Sequence, residues 1–443
     1  MDVLGNNAAY VLAATAAAAY CCTRPRNQLD ETTTSIPVVG QNIVVGSKTH
    51  KPTKILTRPP HKIPPATWHK NPDLNRKGPL SKEQVKKFFE DGYLFLPEFY
   101  KQPALDAVEK DVDSMINNLA IRLHRAGKIK DLYEGLDWTS RLLRMRRDFP
   151  DAPVILIKGG VLPVSLQKMF AEEKILDVAT QLGLGPDIAL NAAWNLRGKM
   201  PSHEETVVPW HQDNSYWEPR VWDEQVLTVW AALVDATVEN GCMQMMKGAH
   251  ACGKTASHTI GTTTSTWYTE VSEETMAREL LGTTELVDGV DKITIPCKAG
   301  GVLIFPGTTP HRSLDSFSDN IRWSCDFRLH PKKARRPGKG GDLDWFYGLK
   351  DSLLLREDPK VDPHFKPSFA DWATVDRTEV QDKAKLGDAK AEAAKETFDP
   401  VIVGPWMDLW DLETDVRGLP NQHVDTYIAQ PEDKRDVKAY SWW

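Results

Sequence analysis

Six cysteines in 443 residues include no C-x-x-C pair, which removes the closely spaced thiols of zinc and redox motifs. Cys242, Cys252, Cys297 and Cys325 are scattered through the stretch expected to form the core and read as reduced, buried thiols. Also absent is a long basic block. With a net charge of −6 and 26% charged residues, neither nucleic acid nor an anionic membrane is favoured as the main partner, and a small-molecule substrate fits better. Long hydrophobic runs are missing too: the Ala-rich stretch from Ala8 to Cys22 is shorter than the ~20 residues that span a bilayer. Asp2 before it and Arg24 and Arg26 after it suit a signal peptide poorly. A cleaved targeting segment, an interfacial anchor aided by acylation of Cys21 or Cys22, and a frayed helix stay open, so weak membrane association at the N-terminus stays open with them. The expected location is intracellular, cytoplasmic or organellar. No internal repeat is evident, and nothing in the sequence sets an oligomeric state.

What is present has a clear order. From Thr23 to Pro79 the chain carries Pro, Thr, Lys and Asn without sustained periodicity and reads as a linker or a surface-hugging arm. Ser81 with Gln84 three residues on is a capping-box signature, Val85, Phe88 and Phe89 recur at helical spacing, and Gly92 stops the helix. Tyr93 to Leu96 follows as a strand. Ala104 to Leu123 and residues 165 to 182 have the apolar spacing of helices that cover a sheet. Beyond Pro186 the pattern turns to strands: Ile188 to Leu196, Val207 to Asp213, Leu227 to Val234, Cys242 to Met246, Lys292 to Ile295, Gly301 to Phe305 and Ile321 to Leu329. Many short strands between turns predict a mainly β fold with covering helices (α+β), built on a sandwich or jelly roll. Barrel domains of ~200–250 residues are ordinary, so one large core with an extension at each end accommodates the length.

Four side chains carry the chemistry. His211 and Asp213 stand in Trp210-His211-Gln212-Asp213, His311 follows one hundred residues later, and Arg322 eleven after that. On a strand, residues two apart share a face, so His211 and Asp213 reach one ion while Gln212 points away. Two histidines and one carboxylate form the facial triad that holds Fe(II) with open coordination positions, which indicates an oxygen-activating enzyme.

These residues resemble the phytanoyl-CoA dioxygenase family of Fe(II)/2-oxoglutarate oxygenases, whose pattern is H-x-D, a distal His, and an Arg eleven residues beyond it. Leu80 to Pro97, Val229-Trp230-Ala231-Ala232-Leu233, Asn240-Gly241-Cys242-Met243 and Lys247-Gly248-Ala249-His250 look like family segments, although Pro-Gly-Ser-His is common in place of the last. The resemblance implies a double-stranded β-helix (jelly roll, cupin-like) over residues 80–330, with 1–79 and 331–443 as extensions, the latter packed on the barrel. It implies Fe(II) on His211, Asp213 and His311, and 2-oxoglutarate clamped by Arg322 with Ser313. O2 would be the co-substrate and ascorbate an aid, and succinate and CO2 would leave as an unactivated C–H bond is hydroxylated. Related halogenases have Gly or Ala at the Asp213 position, so the carboxylate argues for oxygen transfer over halide transfer; desaturation and cyclisation use the same triad.

Competing readings accompany each residue. Arg328, with Asp326 beside it, rivals Arg322 for the cofactor carboxylate. His203, His250, His258 and His330 read as loop or fold residues. Trp194, Trp210, Trp217, Trp222 and Trp230 crowd the first ligand pair with Tyr216, and Trp217 and Tyr216 are the candidates for stacking on substrate. Asn195, Arg197 and Lys199 either donate to 2-oxoglutarate or substrate, or form a solvated strand end. A non-catalytic jelly-roll protein with a structural metal and a zinc hydrolase are the alternative functions; in the second Arg322 would lack a purpose. Pro405 to Leu412 restores apolar bulk in the tail, which is expected to wrap the barrel, close the mouth of the site, or mediate self-association.

Overall fold

The computed structural model describes residues 65–158, 162–191, 193–201, 206–217, 219–260, 267–331, 352–370, 398, 400, 402, 406 and 410–412. The sequence expectations for residues 1–64, the apolar N-terminal run included, lie outside these residues. Among the described residues no helix is long and apolar enough to cross a membrane.

The first helix, α1 (Lys82–Asp91), begins with the expected capping box: Ser81 Oγ accepts from Gln84 N and the Gln84 side chain accepts from Ser81 N. Gly92 ends it at φ 81°, a left-handed conformation suited to glycine. Strand β1 (Leu94–Leu96) leads to α2 (Gln102–Arg125), which has Pro103 in its first turn where no intrahelical N–H is needed. Then come α3 (Arg141–Asp148), α4 (Ala152–Lys158), α5 (Val164–Phe170) and α6 (Glu173–Ala179). The single helix expected over 165–182 is therefore two. It breaks at Ala171, where the Tyr100 hydroxyl takes the Met169 carbonyl, and the chain resumes as α6 and a π-helical turn Thr180–Leu184.

The strands are β2 (Ile188–Leu190), β3 (Asn195–Lys199), β4 (Leu227–Ala232), β5 (Met243–Met246), β6 (Thr259–Ile260), β7 (Thr269–Glu270), β8 (Lys292–Ile295), β9 (Val302–Pro306), β10 (His311–Ser313), β11 (Arg322–Pro331), β12 (Leu353–Arg356) and β13 (Asp411–Leu412). The larger sheet runs β1-β9-β4-β11-β2-β12, with β3 also on β11, and the smaller runs β10-β5-β8. A third, short sheet runs β13-β6-β7.

Period-two alternation along β11 positions the site. Trp323, Cys325, Phe327 and Leu329 face one way, into the core shared with the helices. Arg322, Asp326 and Arg328 face the other way and line a cavity. Between the larger and smaller sheets a second core of Trp230, Met243, Met245, Leu303 and Phe305 completes the jelly-roll sandwich.

Val207 to Asp213 departs from the expected strand. His211 pairs with His311 as a single bridge, with N–H to O distances of 3.0 and 2.9 Å, and Ser313 N donates to Val208 O. Pro209 has no N–H to extend that ladder. Asp213 already opens a 3-10 turn, Asp213–Tyr216.

Candidate metal centre and its cavity

His211, Asp213 and His311 converge, with one potential ligand atom from each within 4.8 Å of the other two. The bridge sets the imidazole centroids 4.2 Å apart, and Gln212, extended at φ −108° and ψ 135°, carries Asp213 back to the same side. All three are buried. His211 Nδ1 lies 2.9 Å from Pro209 O, and His311 Nδ1 3.0 Å from Thr309 O. A carbonyl only accepts, so both Nδ1 atoms carry the proton and both Nε2 lone pairs are free for an ion. Asp213 Oδ1 lies 3.5 Å from His211 Nε2 and 3.9 Å from His311 Nε2. Its other oxygen is held by Thr228 Oγ1 and by Arg328 through Nε at 3.1 Å and Nη2 at 3.0 Å. Burial opposes the charge on Asp213, but Arg328 holds its pKa well below the ordinary carboxylate range. Burial, then the neighbouring His211, pushes His311 down to about 3, so it is neutral at pH 7.

Gln212 faces away, as expected, and anchors the turn. Its backbone N–H donates to His258 Nε2, its amide donates to Lys254 O and Thr308 O, and its carbonyl oxygen accepts from Ala256 N. His258 is thus a fold residue, and so is His250, whose Nε2 donates to Phe89 O. His330 bonds Ser352 away from the cavity. His203 lies outside the described residues.

A second cluster lies on the same cavity. Arg322 is 2% exposed, donating from Nη1 to Ser324 Oγ at 2.8 Å and from Nη2 to Gly241 O at 3.0 Å, while its buried Nε has no hydrogen-bond partner. Burial lowers its pKa to about 10. Lys199 is 1% exposed, so the solvated-end alternative fails at this position; its Nζ donates to Ser313 Oγ at 3.0 Å and Thr206 O at 3.2 Å. Burial, then Arg322, depresses the Lys199 pKa well below normal. Among the described residues no carboxylate pairs with either cation. A buried guanidinium with an unused N–H, the buried Lys199 amine, whose charged form an anion would favour, and a serine hydroxyl therefore suit a carboxylate ligand.

Arg328 is engaged differently from its sequence rival Arg322: it is tied to Asp213 and to Asp326, and Asp326 also accepts from Arg197 Nε and Asn195 Nδ2. Tyr216 lines the cavity, its hydroxyl accepting from Thr269 N and its ring edge-on to His211 at 5.8 Å. Trp217 does not line it. The 3-10 turn rotates Trp217 into the core against Gly307, where its carbonyl accepts from Trp222 Nε1. Trp194 and Trp230 line the cavity, whereas Trp222 stacks on Trp410 and Trp210 lies under Arg312. Trp267, Tyr268, Ile402 and Trp406 complete the wall. Of these only Trp406 falls in the apolar cluster from Pro405 to Leu412, and its Nε1 donates to Trp267 O.

The family model described as phytanoyl-CoA dioxygenase matches residues 88–324, more than half of the chain. The phytanoyl-CoA dioxygenase domain-containing protein 1 of Bos taurus is 25% identical over 276 residues, covering 56% of this chain and 90% of its own length. Its Dictyostelium discoideum homolog is 23% identical over 270 residues, covering 57% and 90%. Among solved structures, EvdO2 from Micromonospora carbonacea var. aurantiaca, complexed with 2-oxoglutarate, aligns at 18% identity with a TM-score of 0.37, covering 57% of this chain and 91% of that one.

Proposed function

The chain belongs to the phytanoyl-CoA dioxygenase family, and from that premise we propose that it is an Fe(II)/2-oxoglutarate-dependent dioxygenase hydroxylating a small or medium organic substrate. The observation that carries this reading is one cavity lined by both the His211, Asp213, His311 cluster and the buried basic side chains Arg322 and Lys199. A zinc hydrolase has use for the first cluster and none for the second.

His211 Nε2, Asp213 Oδ1 and His311 Nε2 hold the iron, and their protonated Nδ1 partners and Arg328 fix the direction of each ligand. Arg322, Lys199 and Ser313 take the far carboxylate of 2-oxoglutarate; Ser313 Oγ accepts from Lys199 and Val208 N, which leaves its own proton for the ligand. With both groups bound, the cofactors supply the oxidation: C–H, O2 and 2-oxoglutarate become C–OH, succinate and CO2. The protein places the C–H bond and keeps water out with Trp194, Trp230, Trp267 and Trp406. Residues 80–330 form the oxygenase unit and the C-terminal extension closes one wall of its cavity.

Anaerobic addition of Fe(II) and 2-oxoglutarate tests the arrangement by the visible charge-transfer absorption of a chelated keto acid. The wild type is expected to develop the band, His211→Ala to lack it, and Arg322→Met to need at least tenfold more 2-oxoglutarate. Tight Fe(II) binding with no band at saturating 2-oxoglutarate would sink the proposal.

A further inference from the structure

The electrostatic balance of the cavity does not close with metal and cosubstrate alone. Four arginines, Arg197, Arg312, Arg322 and Arg328, line it against two carboxylates, Asp213 and Asp326, with Lys199, whose burial disfavours its charged form, beside them. A dication and a dianionic cosubstrate add no net charge between them, so an excess of two guanidinium charges remains. Uncompensated charge in a partly dry cavity is costly, and an anionic ligand offsets it.

One of these guanidiniums has donors to spare. Arg328 is shared between Asp213 and Asp326, Arg322 and Lys199 face the cosubstrate, and Arg312 donates to Gln244 and lies over the Trp210 ring. Arg197 remains. Its Nε donates to Asp326, whose charge Arg328 already shares, and its two Nη groups have no acceptor among the described residues. The Arg197 side chain is 25% exposed and lines the cavity. Tyr216 and Tyr268 lie close enough to act on its charge, and with Trp267, Ile402 and Trp406 they form an apolar wall. The chain Arg197–Asp326–Arg328–Asp213 places this guanidinium three ion pairs from the proposed metal ligand.

We propose that the substrate is an organic carboxylate with an apolar body. Its acid group is received by the Nη edge of Arg197 and its body lies against Tyr216, Tyr268, Trp267 and Trp406. A planar guanidinium with one edge free matches a carboxylate bidentately. The inference rests on the oxygenase reading for its account of Arg322 and Lys199, and it adds a substrate class and a residue that recognises it.

Calorimetric titration with 4-phenylbutyrate and with its uncharged amide separates the two claims. It is run with and without anaerobically loaded Fe(II) and 2-oxoglutarate. The loaded wild type is expected to bind the acid at least tenfold tighter than the amide. Arg197→Met should bring that ratio close to one, and Arg197→Lys should recover part of it. Thermal melting of both variants identifies a loss of fold, in which case the lysine variant decides. A ratio near one in the wild type overturns the proposal, as does a ratio untouched by Arg197→Met. A 2-oxoglutarate affinity that falls more than the acid-to-amide ratio also overturns it, because Arg197 would then belong to the cosubstrate. If Fe(II) and 2-oxoglutarate do not load, the oxygenase reading fails, while an Arg197-dependent preference on the unloaded protein still upholds the carboxylate site.

Discussion

Arg328 shows at the residue scale how one side chain shapes a site that it does not ligate. With Thr228 it fixes Oδ2 of Asp213, and its Nη2 also reaches Oδ1 at 3.2 Å, the oxygen that faces the two imidazoles. Arg328→Met should therefore weaken Fe(II) binding about 10- to 100-fold, the usual effect of removing a partner behind a metal ligand. Competition with a chromophoric chelator measures this without turnover, and an unchanged affinity would contradict the role. The ligand triad was legible in the sequence because period-two spacing and a distant histidine are local facts. Arg322 and Arg328 were harder to rank, since both lie on the same face of β11 and only the fold shows which one meets Asp213. Lys199 could not be told from a solvated strand end, because its burial depends on residues far along the chain. Trp217 was misread because the expected strand becomes a 3-10 turn after Gln212, which changes the direction of the residues that follow.

That turn is the element on which the site depends. Its first residue is Asp213, and Asn214 N donates to Gly307 O at 3.1 Å. The approach leaves no room for a side chain at 307: an added Cβ would sit 2.3 Å from Asn214 Oδ1 and 2.9 Å from the Trp217 ring. Gly307→Ala should destabilise the fold by about 1–3 kcal/mol, as overpacking does, and lower Fe(II) affinity by displacing Asp213. Chemical denaturation and the same chelator competition report the two effects; a variant as stable as wild type would show that the contact is easily relieved. At this scale most strands of the larger sheet were legible from their composition, but the expected strand from Ile188 to Leu196 is two, β2 and β3, and β12 lies beyond the stretch in which strands were expected. The split of the expected helix at Ala171 was not, because Tyr100, about 70 residues upstream, provides the bond that ends it.

Over the whole molecule, buried histidines link stability to pH. His250 is lowered to about 4 and His258 to about 3, in both cases chiefly by burial, against an ordinary value of 6.5. Between those values the unfolded chain binds more protons than the folded one, so stability is complete above pH 6.5 and is lost as pH falls toward the folded values. Each histidine contributes a slope of up to about 1.4 kcal/mol per pH unit. The melting temperature of metal-free protein should fall more steeply with pH below 6.5 than between pH 8 and 7, less so in His250→Gln; no steepening down to pH 5 would contradict this. The mainly β architecture with covering helices was legible as a whole, since short strands between turns need a sandwich to bury them. The wall contributed by Ile402 and Trp406 was not, because nothing local says which surface a distant apolar cluster covers.

Succinate formation tests the central claim most directly. Protein purified without oxygen, supplied with Fe(II) and 2-oxoglutarate and then exposed to air with a panel of organic carboxylates, should release succinate and CO2 in equal amounts. Release should depend on O2, be stimulated by at least one acid, and disappear in His211→Ala. No succinate above the His211→Ala background, with Fe(II) demonstrably bound, would contradict the account.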